Sequence, residues 1–452
     1  MRELPGQVHL IGVGGEGMAA LAQLLLEAGF ELSGTDIRPS PRLAMLRAQG
    51  GYVQVGHHQD HLLERTKLVI HSSAIPPDNP ELVAAKRRGL PVLPRLGAIK
   101  ALLQGRPVVA IAGTHGKTTT TTWVAHMVHR LTGQGGHYIG AEVPGFPSAR
   151  LGKGPFVLEV DESDGLFTHL PADIAVITNV DCDHLNTYGD FRSLHRAFSH
   201  FARRAGKVAL CLDDPGAASL LPQRPDALTY GLGGQALLRA QGITFRRSSS
   251  TFEVWLGKRR VETVSLPAPG AHNVGNALAA LAAGILLGLP PRELCRALGG
   301  VPRPRRRLEV LEENGYLVVD DYAHHPRELA CGLAALRGGW PDRRIVAIFQ
   351  PHRFSRTARL ARAFGQVLAR AEQAVVTEIY PACEPPLPGV SGAWVAEAAR
   401  AAKGKVSFSP TLPEAMENAA SVIRPGDVVA CFGAGDIWKL AREMANGLSS
   451  GA

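Results

Sequence analysis

Val108-Val109-Ala110-Ile111-Ala112-Gly113-Thr114-His115-Gly116-Lys117-Thr118-Thr119 is the stretch that decides the fold. A β-branched apolar run stops at a glycine turn. A lysine and a row of threonines follow, and residues 123–130 are compatible with a helix. The order is strand, phosphate loop, helix. Glycines let backbone N–H groups close around phosphate oxygens, and a helix N-terminus favours negative charge. In such a loop Lys117 reaches the β- and γ-phosphates and the Thr118 hydroxyl sits on Mg²⁺. Gly113, Thr114, His115, Gly116 and Thr119 complete the expected ATP contact. The general pattern wants a glycine five positions before Gly116, where this chain has Ile111, so the loop is the shorter G-T-x-G-K-T-T.

Moving outward, residues 156–160 read as a buried strand that delivers Asp161-Glu162-Ser163-Asp164. Residues 174–178 read as another that delivers Asn179-Val180-Asp181-Cys182-Asp183-His184. In an open parallel sheet, ligands bind beyond the carboxyl ends of the strands. Three successive strands thus aim Lys117 with Thr118, Glu162, and His184 at one edge. Hydroxyl, carboxylate and imidazole there make a Mg²⁺ shell that water completes. Asn273 and Asn276, before an alanine-rich helix over 277–287, are open to two readings, as helix caps or as groups that read a base edge.

Upstream lies a second glycine loop. Residues 8–11 read as a strand, Gly12-Val13-Gly14-Gly15-Glu16-Gly17 matches G-x-G-x-x-G, and residues 18–29 read as a helix closed by a glycine. Residues 31–36 form the next strand, ending in Asp36 where a ribose-binding acid belongs. Alone this suggests NAD or FAD, but the turn suits any diphosphate-bearing nucleotide. Residues 67–70 form a further strand ending in His71-Ser72-Ser73-Ala74, and residues 91–94 and 99–107 read as the connection out of this region.

Downstream, from about Val301, strands again end in polar groups. Residues 316–319 deliver Asp320-Asp321-Tyr322-Ala323-His324-His325-Pro326. Residues 345–349 deliver Gln350-Pro351-His352-Arg353-Phe354-Ser355-Arg356. Residues 374–377 deliver Glu378-Ile379-Tyr380, and 427–432 deliver Gly433-Ala434-Gly435-Asp436. Arg353 and Arg356 are suited to a bidentate grip on a carboxylate or phosphate.

The 452 residues exceed one core, and 45% hydrophobic with 20% charged residues fit a globular protein. The net charge of +9 raises nucleic acid as a partner. The arginines are spread along the chain without interleaved aromatics, the densest run being Arg303-Pro304-Arg305-Arg306-Arg307, so anionic small substrates account for the sign and no nucleic acid is expected. Six cysteines without a C-x-x-C pair point away from zinc or a disulfide framework and toward a reducing compartment. With no signal segment and no apolar run of membrane-spanning length, a cytoplasmic protein without membrane insertion is expected, as a monomer or homodimer.

G-x-G-G-x-G-M, A-G-T-H-G-K-T-T-T, D-E-S-D-G, N-V-D-x-D-H-L, H-N-V-x-N-A, D-D-Y-A-H-H-P and F-Q-P-H-R-F-S-R-T occur in this order along nearly the whole chain. Together they resemble the Mur ligases of peptidoglycan synthesis. The resemblance implies an α/β chain of three domains. These are a Rossmann-like N-terminal domain for a UDP-sugar (1–106), a central P-loop-type ATPase domain with a mixed sheet (107–302), and a Rossmann-like C-terminal domain that brings in the amino acid (303–452). D-E-S-D-G and D-D-Y-A-H-H-P favour the branch that adds L-alanine over those that add D-glutamate, diaminopimelate or D-Ala-D-Ala. The implied substrates are therefore UDP-N-acetylmuramate, L-alanine and ATP, with Mg²⁺, or Mn²⁺, as the metal.

Residue by residue, the resemblance moves Gly14, Gly15 and Gly17 from NAD to the UDP diphosphate. It places Asp36, His57, Ser72, Ser73 and Ala74 around the uridine end. Lys117 and Thr118 carry over as phosphate and metal contacts, Glu162 and His184 as ligands of a second Mg²⁺, and Asn273, Asn276 and Asp321 as ATP contacts. His324, His325, His352, Arg353 and Arg356 carry over to the reacting end, with Lys117, Glu162, His184, His324 and Arg353 as the catalytic set. Two departures stand out. Several relatives carry a carbamylated lysine after the His184-type histidine, and residues 185–206 contain no lysine. Relatives read G-V-x-R-R-F where this chain reads Gly300-Val301-Pro302-Arg303-Pro304-Arg305-Arg306-Arg307, which leaves open which arginine meets ATP.

Overall fold

Each of three open sheets is built around a buried strand that ends in a glycine or acidic turn. The computed structural model describes residues 6–449 except 164, 171, 184, 314 and 383, and not the side chains of 186, 448 and 449. His184 therefore lies outside the described residues.

The first sheet has five parallel strands in the order Tyr52–Val55, Glu31–Asp36, Gln7–Ile11, Thr66–His71, Val92–Pro94. The strand order reverses between Gln7–Ile11 and Thr66–His71, where an open sheet leaves a ligand crevice. One expectation needs correction here. Residues 91–94 are not a bare connection: Val92–Pro94 is an edge strand, and Arg95–Leu102 is a helix. Pro94 is tolerated because an edge strand can spare an N–H.

The second sheet has ten strands. Their order is Arg259–Leu266, Ser249–Leu256, Leu238–Arg246, Leu228–Gly231, Lys207–Cys211, Ile174–Ile177, Val108–Ala112, Phe156–Glu159, Gly136–Tyr138 and Ala149–Arg150. It is mixed: Val108–Ala112 pairs in parallel with both neighbours, and Gly136–Tyr138 pairs antiparallel with Ala149–Arg150. The helix after the phosphate loop runs Lys117–Thr132, six residues earlier than the expected start at 123. Thr118 to Thr122 all lie in it although β-branched residues are poor helix formers. All five are buried, and Thr122 Oγ1 donates to Thr118 O at 2.7 Å, so packing overrides propensity.

The third sheet runs Glu309–Glu312, Leu317–Asp321, Val428–Phe432, Ile345–Phe349, Gln373–Val376, Val406–Phe408; the first pair is antiparallel and the rest are parallel. Its two faces carry separate apolar clusters, one around Phe349, Phe364 and Phe432 and the other around Val429, Ile437 and Leu440.

By packing, the chain forms two compact units. The first comprises residues 1–242, 252–264 and 275–304, and the second comprises 243–251, 265–274 and 305–452. In the first, one apolar cluster takes in Leu10, Leu21 and Leu46 together with Val108, Phe156 and Phe198. Among the described residues, no helix is long and apolar enough to cross a membrane.

Candidate active site

The phosphate loop is shaped by its neighbours. Gly113 has φ +132°, and a Cβ there would overlap Thr178 Oγ1. Gly116 has φ +80°, and a Cβ there would overlap Asn276 Oδ1. Both positions require glycine. The next strand's end pins the turn from beneath: His115 N donates to Asn179 Oδ1 at 2.7 Å, Thr178 Oγ1 to His115 O at 2.7 Å, and Asp181 N to Thr114 Oγ1 at 2.9 Å. His115 Nε2 lies 3.1 Å from Asp181 Oδ2. The backbone is thus fixed before any ligand contact, which is what electrostatic preorganisation requires.

Inside this frame, Lys117 Nζ donates to Gly113 O at 2.6 Å and Thr114 O at 3.1 Å, and it pairs with Glu162 Oε2 at 2.8 Å. Burial pushes the Glu162 carboxyl up to about 7, with Lys117 opposing and Asp161 adding to the rise. Burial acts to lower Lys117, but the Glu162 and Asp161 carboxylates outweigh it and hold the ammonium above its ordinary range. Lys117 is therefore cationic. Thr118 Oγ1 donates to Glu159 Oε1 at 2.6 Å, and Gly140 N donates to Glu159 Oε2 at 2.7 Å. Sequence reasoning missed Glu159. Its signal was its place as the last residue of the strand Phe156–Glu159, at the carboxyl edge beside Thr118. Thr119 is buried in the first turn of the helix. Thr120 Oγ1 approaches Asn276 Oδ1 at 3.5 Å, which seats Asn276 beside Gly116.

At the first sheet's crevice, Gly12 N and Val13 N both donate to Thr35 O, at 2.8 and 2.9 Å, and Gly14 N donates to Asp36 Oδ2 at 2.9 Å. Asp36 thus holds the glycine loop. A Cβ on Gly14 would come within 2.9 Å of that carboxylate, and one on Gly17 would overlap Arg95 Nη1. Gly15 is the open position, its nearest neighbour being Gly12 O at 3.5 Å. Ser72 N donates to Ile11 O at 3.1 Å and Ser72 Oγ accepts from Ala74 N, while Ser73 and Ala74 are exposed. His57 Nδ1 lies 3.1 Å from Thr35 Oγ1. Arg95, also missed, stands at the start of its helix, 3.9 Å from Asp161, and Tyr138 Oη donates to Gly17 O at 2.9 Å. The first glycine loop and the acidic turn beside Lys117 thus adjoin, through Arg95, within the first unit.

In the second unit, His324 Nδ1 lies 3.3 Å from Glu328 Oε2, and its ring neighbours Tyr322 and His352. His325 caps the helix Pro326–Gly339: its ring accepts from Arg327 N while Glu328 accepts from the His325 N–H, a capping box. Asp321 is occupied by backbone, accepting from Leu308 N at 2.7 Å and Ala323 N at 2.8 Å, and burial pushes its carboxyl up to about 6. Asn273 is the third residue of the helix Ala271–Leu286, not a residue ahead of it, and its Nδ2 donates to Pro269 O at 2.8 Å. His352 stacks on Tyr380 at 5.7 Å, and its Nδ1 lies 3.2 Å from Arg356 Nη1. Arg353 caps the helix Phe354–Leu368 with φ 70° and ψ 135°, a backbone state that costs a non-glycine residue about 1–3 kcal/mol and clusters at functional sites. Glu384, missed from sequence, accepts from Ser355 N and Oγ and lies 4.0 Å from Arg353 Nε.

The basic run is not a free patch. The Arg306 guanidinium spans Asp320 Oδ2 at 3.1 Å, Gly433 O at 2.5 Å and Gly435 O at 3.2 Å, with Tyr322 beneath it. Arg305 pairs with Glu309, and Arg307 also lies over Tyr322.

A phosphate loop, a diphosphate-type glycine loop and a third Rossmann-like sheet in one chain define an ATP-dependent ligase of the Mur type. Family models match in series: the Mur ligase family catalytic domain over residues 7–106, the Mur ligase middle domain over 111–284 and the Mur ligase glutamate ligase domain over 306–435. The chain belongs to the Mur ligase family. Among its relatives, the UDP-N-acetylmuramate–L-alanine ligase of Solidesulfovibrio magneticus is 41% identical over 450 residues, covering 97% of this chain and 98% of that one. The enzyme of the same name from Acidothermus cellulolyticus is 42% identical, covering 95% and 92%. The crystal structure of UDP-N-acetylmuramate–alanine ligase from Thermotoga maritima superposes with a TM-score of 0.84 at 29% identity, covering 99% of this chain and all of that one. A murein peptide ligase from Psychrobacter arcticus shares the fold at a TM-score of 0.69 and 23% identity.

Proposed function

We propose that this chain joins L-alanine to the lactyl carboxylate of UDP-N-acetylmuramate at the expense of ATP, which becomes ADP and phosphate. The observation that carries this reading is the Lys117–Glu162–Thr118–Glu159 cluster on a pinned phosphate loop, in a chain similar over nearly its whole length to L-alanine ligases. The donor set fits Mg²⁺: the Thr118 hydroxyl and the Glu159 and Glu162 carboxylates are hard oxygen ligands. His184 is proposed as a further ligand on the family resemblance. Mg²⁺ would neutralise charge on the β- and γ-phosphate oxygens.

The lactyl carboxylate attacks the γ-phosphorus and ADP leaves, giving an acyl phosphate. Lys117 offsets the charge that develops on the transferring group, and the pinned backbone N–H groups hold the chain of phosphates in line. The neutral amine of L-alanine then adds to the acyl carbon, the tetrahedral adduct gives an N–H proton to a base, and phosphate departs as the amide forms. Gly14, Gly15 and Gly17 receive the UDP diphosphate, with Asp36 shaping that loop. Asp36, His57 and 72–74 flank the uridine end, and Asn276 faces the ATP loop. Asn273 and Asp321 are proposed toward ATP and His324, His325, His352, Arg353 and Arg356 toward the amino acid, the arginines suiting its carboxylate.

Phosphate release from ATP with UDP-N-acetylmuramate tests the reading. Release that requires L-alanine is expected. Release only with the L-Ala-γ-D-Glu-diaminopimelate tripeptide would make this a recycling ligase, and release with neither amine would remove the function.

A further inference from the structure

Glu81 lies outside the machinery described so far, yet its carboxylate is wholly buried and surrounded by imidazoles. The helix Pro80–Arg87 places it in its first turn, where Asn79 Oδ1 accepts from Glu81 N and Leu82 N. Its Oε2 accepts from Thr35 Oγ1 at 2.7 Å and lies 3.2 Å from His57 Nδ1 and 3.8 Å from His9 Nε2, while His61 Nδ1 lies 3.4 Å from Oε1. Glu81 and His9 are 0% exposed. Ser33 Oγ engages His9 Nδ1 at 2.8 Å, while His9 Nε2 and Glu81 Oε1 have no hydrogen-bond partner among the described residues. Burial acts to raise the Glu81 carboxyl, but His9, Thr35 and His57 outweigh it and the net direction is down, so the group is ionised. A buried carboxylate with no lysine or arginine in hydrogen-bond contact among the described residues is costly to keep. Apolar packing at this helix start would have been cheaper, so the cluster serves something other than the core.

Two of its partners lead to the glycine loop. Thr35, whose hydroxyl Glu81 holds, supplies the carbonyl on which Gly12 N and Val13 N both rest. Gly56 N donates to Asp36 O at 2.8 Å, and His57 follows directly, so His57 stands at the carboxyl edge of the first sheet beside the acid that holds Gly14. The His57 side chain is 16% exposed and its Nδ1 faces Glu81 and Thr35, which leaves Nε2 as the ring atom available to a ligand.

The geometry points to Glu81 as a positioning residue for the sugar-nucleotide site, which fixes His57 as the Nδ1–H tautomer so that Nε2 accepts from a donor of the nucleoside end, a ribose hydroxyl or the imide N–H of a pyrimidine. A carboxylate against one ring nitrogen sets the tautomer and thereby the role of the other. The inference rests on the sugar-nucleotide assignment of the glycine loop but not on the amine that is added.

The test uses UDP itself as the probe, titrated into the full-length wild type, Glu81→Gln, His57→Ala and the double variant. Glu81→Gln is expected to weaken UDP binding about tenfold. In the His57→Ala background the same change adds nothing, because the pair acts as one unit. Nitrogen-15 spectra of labelled histidine should show His57 as the Nδ1–H form in the wild type and a mixture in Glu81→Gln. Glu81→Gln binding UDP like the wild type overturns the inference, as does an equal loss with and without His57, which would mark a purely structural role. Should phosphate release fail with L-alanine while these UDP results hold, the proposed reaction falls and this inference stands.

Discussion

Lys117 Nζ and Glu162 Oε2 lie 2.8 Å apart, a cation and an acid delivered by the neighbouring strands Val108–Ala112 and Phe156–Glu159 into a buried spot. The pair does two jobs. It holds the ammonium against Gly113 O and Thr114 O at the mouth of the loop, and it keeps the buried Glu162 carboxylate beside that ammonium. Lys117→Ala should reduce phosphate release about a thousandfold, the scale of losing a preorganised charge at a reacting group. Because Glu162 is pushed up to about 7, it can accept a proton when its cation is gone, so the variant should remain folded by circular dichroism. Wild-type rates from a folded Lys117→Ala would refute the ATP assignment.

Glu159 tests the proposed metal shell from a different side. Its two oxygens are taken by Thr118 Oγ1 and Gly140 N, so it orients the hydroxyl and clamps the strand end together. Glu159→Gln cannot accept from both. The expected outcome is a rise of about tenfold to a hundredfold in the Mg²⁺ concentration for half-maximal activity, as for other residues that orient metal ligands. Activity titrated against Mg²⁺ at saturating ATP measures it, and an unchanged half-point would assign Glu159 to packing.

Much of this arrangement was legible in the chain. The strand–loop–helix at 108–130 could be read because β-branched runs, glycine turns and a lysine each have a single physical role there. The acidic and histidine strings were placed correctly at strand ends by the same logic. What could not be read is instructive. The four strands between Leu228 and Leu266 carry mixed charges and weak alternation, as in Leu238-Arg239-Ala240-Gln241, so no apolar run marks them even though each pairs with its neighbour in sequence. The threonine row looks unhelical until its burial is known. Glu81, Glu159, Arg95 and Glu384 were missed because a lone charged residue on a short element has no pattern; only the approach of Thr35, Thr118, Gly17 and Ser355 gives each its meaning.

The run 303–307 looks basic in sequence but is internally committed. Arg306 covers Asp320, which is 1% exposed, and ties down two carbonyls of the 433–435 turn. Removing the guanidinium strands a buried acid, so Arg306→Ala should cost about 3–5 kcal/mol. Arg305 pairs with Glu309 nearer the surface, and Arg305→Ala should cost under about 1 kcal/mol. Urea unfolding of the two variants decides it. Equal small losses would return Arg306 to the pool of residues available to ATP.

Two buried imidazoles act to lower stability in mild acid, against the raised carboxyls of Glu162 and Asp321, which act the other way. Burial pushes His137 down to about 4, with its Nε2 bonded to Pro147 O and its ring stacked on Phe146. Burial pushes His272 down to about 4 as well, with Arg307 adding to the fall. Unfolded, each titrates near 6.5, so between about 6.5 and 4 the unfolded chain binds protons that the folded chain refuses. Their contribution is complete above pH 6.5 and is lost as the pH falls through that window, about 3 kcal/mol for His137 alone. His137→Gln keeps an amide donor for Pro147 O and removes the titration. Unfolding midpoints measured from pH 7.5 to 4 should fall less steeply for the variant, and parallel curves would contradict the assignment.

Arg353 joins backbone strain to a proposed binding role at one residue. Its φ of 70° with ψ 135° is held by its own N–H on Tyr380 O at 2.9 Å and by Thr357 N on Arg353 O at 3.1 Å, so the fold dictates the backbone whatever side chain is attached. Any side chain with a Cβ carries the strain; glycine does not. Inside a helix glycine ranks below alanine because it loses more chain entropy on folding. Here the order should invert, with Arg353→Gly more stable than Arg353→Ala by about 1 kcal/mol. Both variants lose the guanidinium proposed to meet the carboxylate of L-alanine, so both should show a raised KM for L-alanine of about tenfold or more. Stability that follows the backbone and affinity that follows the side chain are read separately, by thermal unfolding and by steady-state rates. Alanine more stable than glycine would show that the chain relaxes out of this conformation once the arginine is gone, and that the arginine itself, through Glu384, holds the turn.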